Sequence, residues 1–171
     1  MNLSKKIPWA FGAVLLLMLA AALFGLWASH RALDRFQGEV MVQVSHERKV
    51  AAAQMHFKTQ VQEWKNVLLR GMDAALLDKH WRAFEAEEQA VDRLMVELRQ
   101  VVDEADQRQL MDRFASAHAA MAKGYRMGLE KFKAAGLEPS VGDASVRGVD
   151  REPAKLLDSL GELNSARSAA V

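Results

Sequence analysis

Residues 77–102 read LDKHWRAFEAEEQAVDRLMVELRQVV, with apolar side chains at alternating steps of three and four: Leu77, Trp81, Phe84, Val91, Met95, Leu98 and Val102. Only Glu88 interrupts the seam. Such a stripe lies along one face of an α-helix and needs a partner helix to cover it. The rhythm continues on both sides. Downstream it runs through Leu110, Phe114, His118, Met121, Tyr125 and Phe132, up to Gly136. A turn at Asp103–Asp106 separates the two stripes, and Asp106 and Gln109 stand in a capping-box relation. Upstream, Phe57, Val61, Trp64 and Leu68 make a clean stripe. Further back, Leu33, Phe36, Val40 and Val50 share the line with Gln43, Glu47 and Gln54. Polar seam positions of this kind are common where helices pair loosely or meet another subunit.

Punctuation fits the same reading. Gly71 supplies a helix stop and Asp73 an N-cap, which predicts helices over 29–70, 74–102 and 107–135. The last two are equal in length, as in an antiparallel hairpin. Leu137–Ser140 is the next turn, and Pro139 ends any continuation. The fourth segment holds Gly142, Gly148 and Gly161. Pro153 either kinks it or marks its first turn after Asp150, and Leu156, Leu157, Leu160 and Leu163 resume the stripe. The expected fold is all-α: an up-down four-helix bundle preceded by one transmembrane helix. In that topology the first and third helices end at a distal tip, and the fourth descends. From Ser140 the remaining chain is shorter than the first helix, so the sequence is expected to be a fragment or a truncation.

Ile7–Ala28 (IPWAFGAVLLLMLAAALFGLWA) carries no charge. As a helix it measures about 33 Å, the thickness of a bilayer's hydrocarbon core. Trp9 and Trp27 sit near its ends, where amphipathic rings favour the interface. The alternative is a cleaved signal peptide, with Lys5-Lys6 as its n-region and Ala20-Ala21-Ala22 as its cleavage site. The run continues past that site into Leu23–Trp27, longer than the ~7–15 residues of a signal h-region. We therefore expect residues 1–6 to be cytoplasmic, 7–28 to be the transmembrane helix of an inner-membrane protein, and 29–171 to be periplasmic. Lys5 and Lys6 favour that orientation, and Arg31 and Arg35 oppose it.

Composition narrows the function. The chain has no cysteine, so disulfides and thiolate metal sites are excluded. Of 23 basic residues, Lys5 and Lys6 lie in the first 28; the other 21 face 22 acidic ones, and a near-neutral body of mixed sign gives no footprint for nucleic acid. No nucleophile–base pair, phosphate loop or carboxylate dyad emerges, so no catalytic residue is expected. The five histidines match no haem, zinc or di-iron motif, and neither metal nor cofactor is expected. His46, His56 and His80 read as lying on or beside solvated faces, and His118 as a core histidine. The nine methionines read as packing filler.

Two stretches resemble the short periplasmic sensors of a class of bacterial methyl-accepting chemotaxis receptors. Phe57–Gly71 (FKTQVQEWKNVLLRG) resembles the end of their first periplasmic helix. Asp143 and Arg147-Gly148-Val149-Asp150-Arg151-Glu152-Pro153 resemble the matching part of their fourth. The resemblance implies a homodimer that binds a small molecule outside and passes a helix displacement inward. It also implies that kinase coupling runs only through C-terminal parts absent here.

Up-down connectivity brings the end of the first helix to the start of the fourth. Lys65, Arg70, Arg147 and Arg151 are therefore the candidate ligand-binding residues, with Asn66, Asp143 and Asp150 as supporting polar partners. The ligand would be a small organic anion or an amino acid, its carboxylate gripped by Arg70 and assisted by Lys65. The competing reading pairs Arg70 and Arg151 with Asp143 and Asp150 to fasten a glycine-rich turn. A membrane-tethered bundle that binds another protein and no small molecule is the alternative function.

Overall fold

The computed structural model describes residues 3–168, which are helical apart from short turns. Helix α1 is Leu3–Arg70, α2 Ala74–Val101, α3 Ala105–Ala134, α4 Pro139–Ser145 and α5 Arg151–Ser168. The chain divides into two compact units, Met1–Val42 and Gln43–Val171, and α1 contributes to both.

The first unit is defined by Phe11–Asp34, 24 residues long and apolar enough to cross a membrane, with none of it buried in the protein. Large apolar side chains from Trp9 to Trp27 are exposed on every face. A helix that is apolar all round has nothing to gain from water and fits a lipid environment. Arg31 caps the run, its guanidinium carbon 5.1 Å from the Trp27 ring centre. Leu33 is exposed too and belongs to no core; the side chains of Phe36 and Val40 lie outside those described.

The second unit is a four-helix bundle whose fourth member is broken into α4 and α5. Polar bridges fix its register. Between α1 and α2 they are Lys49–Glu97 at 2.7 Å, His56–Glu87 at 2.5 Å and Glu63–His80 at 2.6 Å. Numbers rise on one helix as they fall on the other, so the pair is antiparallel. Between α2 and α3 the bridges are Arg99–Asp112, Asp92–His118 and Glu88–Arg126, again antiparallel. Asn164 on α5 accepts from Gln43 of α1 at 3.1 Å and from Gln107 of α3 at 3.4 Å. The helices thus run in the order α1, α2, α3, α5 around the core, with α1 and α3 on a diagonal.

The core is the set of stripes read from the sequence. Val50, Phe57, Trp64 and Leu68 meet Phe84, Val91, Met95 and Leu98, with Phe114, Met121, Tyr125 and Phe132 from α3 and Leu156, Leu157 and Leu160 from α5. The polar seam is explained by α5: Gln43 donates to Asn164, and Gln54 donates to Asp158 at 3.2 Å.

Helix ends follow local chemistry. Asp73 caps α2, accepting from the amides of Ala75 at 2.8 Å and Leu76 at 3.1 Å. The capping box expected at Asp106–Gln109 does not form. Helix α3 starts earlier, with Glu104 at the cap, while Asp106 accepts from the Gln107 amide and pairs with Arg167 of α5 at 2.8 Å. At the other end of α3, Gly136 (φ 69°) lets the Leu137 amide reach back to the Phe132 carbonyl at 2.9 Å, a Schellman closure. The turn between α4 and α5 needs Gly148 (φ 81°).

The broken fourth helix lies close against α3 because α3 is bare there. A Cβ on Gly128 would stand 2.5 Å from Val146 Cγ1 and 3.0 Å from Ser145 Oγ, and one on Gly124 would stand 3.3 Å from Val149. Gly128→Ala should therefore cost about 1–3 kcal/mol in chemical denaturation, the usual range for overpacking. Asp106 supplies a pH signature. The Gln107 amide, opposed by partial desolvation and aided by Arg167, holds its carboxyl below 3.8. With the folded value depressed, its contribution is present above the unfolded value and is lost as pH falls through the folded one. The stability gap between wild type and Asp106→Asn should accordingly close below about pH 3.8 in melts taken across the acid range.

Candidate functional site

Helix α1 ends at Arg70 and α4 begins at Pro139, so Lys65, Asn66, Arg70 and Asp143 lie near one tip of the bundle, while Arg147, Asp150 and Arg151 follow at the α4–α5 turn, beside Gly124 and Gly128 of α3. Lys65 and Asp143 line one cleft of about 380 Å³ there, together with Leu68, Leu69, Pro139 and Ser140. Glu138 organises its rim by accepting from the Ser140 hydroxyl at 2.9 Å. Gly142 lets α4 sit on the bundle, since a Cβ there would lie 2.4 Å from Leu68 Cδ2.

The other candidates are distributed around this cleft and do not line it. Arg70 is exposed in the last turn of α1, and Asn66 is half-buried. Arg147 is exposed and Asp150 half-buried in the α4–α5 turn. Arg151 is exposed too, and its side chain lies over Gly148, 3.5 Å from where a Cβ would be. None of the seven side chains takes part in a described hydrogen bond or ion pair. The pairing of Arg70 and Arg151 with Asp143 and Asp150, expected from balanced charges at helix ends, does not form. Glu138 on the cleft rim and Glu152 beside Arg151 add acidic groups to this region, so its charges are of mixed sign.

Beneath the tip lies an aromatic layer that the candidate list omitted. Tyr125 rests 5.2 Å from Trp64 and 5.1 Å from Phe84, which stacks on Trp81 at 5.0 Å. Burial first, then the carboxylates of Asp150 and Asp143, push the Tyr125 phenol above the ordinary tyrosine range. Two candidate aspartates therefore act on the same phenol. No spacing announces this; Tyr125 read only as a stripe residue.

Lower in the core, polar groups replace apolar ones. Gln60 and His118 are 0% and 1% exposed, and His118 Nε2 lies 2.9 Å from Gln60 Oε1. The other ring nitrogen, Nδ1, lies 3.0 Å from Asp92 Oδ1. Gln60 could have been found in the sequence: it sits three residues after Phe57 and four before Trp64, on the seam itself. His46 and His80 are buried, contrary to their reading as solvated, and His80 is held by Glu63. Among the described residues no group of three or more His, Cys, Asp or Glu side chains is placed to hold a metal ion.

A helical bundle with a small cleft at one end, on a chain whose first helix is long and apolar enough to cross a membrane, has the makings of a receptor's extramembrane domain. The chain is 36% identical over 153 residues to the methyl-accepting chemotaxis protein CtpH of Pseudomonas aeruginosa, a match covering 88% of this chain and 26% of that protein. Over the matched part, the chain is similar to that methyl-accepting chemotaxis protein. It spans about a quarter of that relative's length. No protein-family model and no solved structure matches it.

The single tyrosine gives an unambiguous probe of the tip. Its raised folded value means that stability is intact below the unfolded tyrosine value, about 10, and falls as pH rises beyond it. Absorbance titration should show phenolate only when the bundle unfolds at alkaline pH, and Tyr125→Phe should remove this share of the alkaline destabilisation. Ionisation of the folded chain near the free-tyrosine value would contradict the buried placement.

Proposed function

We propose that this chain is the ligand-sensing region of a bacterial chemotaxis transducer. In this reading residues 7–28 cross the inner membrane with residues 1–6 in the cytoplasm, and residues 29–171 form a periplasmic sensor that works as a homodimer. It acts as a sensor rather than an enzyme. The relative's identity over most of the chain carries the reading, and the exposed apolar helix supports it. The ligand is a small organic anion or an amino acid at the distal tip. Lys65 and Arg70 meet its carboxylate, Arg147 and Arg151 add positive field, and Asn66, Asp143 and Asp150 supply polar contacts. Differential affinity for two packings of the helices moves α1, and the displacement passes across the membrane. Coupling to a kinase belongs to further parts of the receptor.

Thermal-shift screening of the detergent-solubilised chain against organic acids and amino acids tests this. A true ligand at a hundredfold excess over its Kd should raise the Tm by about 5–10 °C. Lys65→Ala and Arg70→Ala should abolish that shift and leave the unliganded melt nearly unchanged, since both side chains are exposed and without described partners. A shift that survives both substitutions would remove the site from the distal tip. A panel with no hit would favour a bundle that binds another protein.

A further inference from the structure

The buried contact between α1 and α3 is polar at its centre. Gln60 is fully buried, and so is His118, whose ring is stacked on Phe114 at 5.3 Å between centroids and lies 6.0 Å from Phe57. Of the described hydrogen bonds and ion pairs, those reaching His118 come from Asp92 on α2 and Gln60 on α1; none comes from α5. Nearby charges on α2 are engaged elsewhere, Glu87 with His56 and Glu88 with Arg126.

The atoms allow two arrangements. A carboxylate only accepts, so Nδ1 carries a proton and donates to Asp92. A carbonyl also only accepts, so as the Gln60 amide is placed, Nε2 must carry a proton too, and the ring is an imidazolium. In that arrangement the Gln60 Nε2 group is buried without a partner. When the ring gives up its Nε2 proton, its lone pair faces the carbonyl lone pairs. The amide must then make a half-turn, so that Gln60 Nε2–H donates to the ring and the carbonyl becomes the group without a partner. Ring charge and amide orientation cannot change independently.

We infer that Gln60 and His118 form a proton-coupled latch between α1 and α3, with Asp92 as its outlet to solvent. Asp92, 60% exposed, offers the path by which the proton enters and leaves. Histidine is the side chain that most readily couples proton uptake to a change of hydrogen bonding. Its charged form binds more tightly, because a hydrogen bond from an imidazolium is roughly twice as strong as one between neutral groups. Acidification therefore tightens α1 against α3, the helix diagonally opposite. The latch is independent of the receptor reading, since it is measured on the chain alone.

The test uses the full chain in detergent micelles, with nitrogen-15 label in histidine and in glutamine side chains, followed by NMR from pH 5 to pH 8. Gln60→Leu identifies the Gln60 amide signal by its loss. The His118 ring signals and the Gln60 amide signal should shift together with one midpoint, and Asp92→Asn should displace both in concert. A second measurement avoids reliance on spectra: the Tm gained on acidification from pH 8 to pH 5.5 should be smaller in Gln60→Leu by about 2–4 °C. An amide signal that stays fixed while His118 titrates overturns the latch. So does a His118 that keeps one charge state throughout, or an equal Tm gain in both proteins.

Discussion

The diagonal between α1 and α3 governs the bundle. Phe57, Gln60 and Trp64 on one helix face Phe114, His118 and Tyr125 on the other, and α2 and α5 close around them. Aromatic pairs above and below give this layer its area, and the polar pair gives it its alignment. A purely apolar core tolerates small slips between helices, because dispersion and water exclusion have little directionality. A hydrogen bond at 2.9 Å between fully buried groups does not, because breaking it leaves polar atoms stranded in a medium that cannot solvate them. Polar bridges on the flanks of α2 then propagate the same register outward.

Much of this was legible in the sequence, for reasons that can be named. The three-four stripes of α2 and α3 predict the centre of each buried face, since a helix period maps directly onto burial, and miss flanking buried residues such as His80, Met111 and Leu129. Asp73 acts as a cap because an acidic side chain just before a helix has backbone donors within reach. Other features depend on groups far away in the chain. Asp106 left its expected capping role because Arg167, sixty-one residues on, competes for its carboxylate. His80 is buried because Glu63 on a different helix receives its ring proton. The close packing of α4 on α3 rests on Gly124 and Gly128, which in a linear reading are merely weak helix formers.

The candidate site was legible in outline and not in detail. Connectivity alone places the end of α1 beside the start of the fourth segment, and Lys65 and Asp143 do share a cleft there. Connectivity says nothing of which charges pair. Arg70, Arg147 and Arg151 stay exposed and take part in no described ion pair. Tyr125 lies beneath, where Asp143 and Asp150 bear on it.

Residues 49, 56 and 63 of α1, each one heptad apart, all reach α2 through a charged or ring-mediated contact. An axial shift of α1 as a rigid rod displaces all three contacts by the same amount. For contacts lying square to the axis, an axial creep of one residue's rise, about 1.5 Å, lengthens a 2.6 Å contact only to about 3 Å, and all three hold. Doubling the creep takes them together to about 4 Å, beyond hydrogen-bonding reach. The α1–α2 seam therefore behaves like a detent: compliant to fine motion, then yielding in a single step.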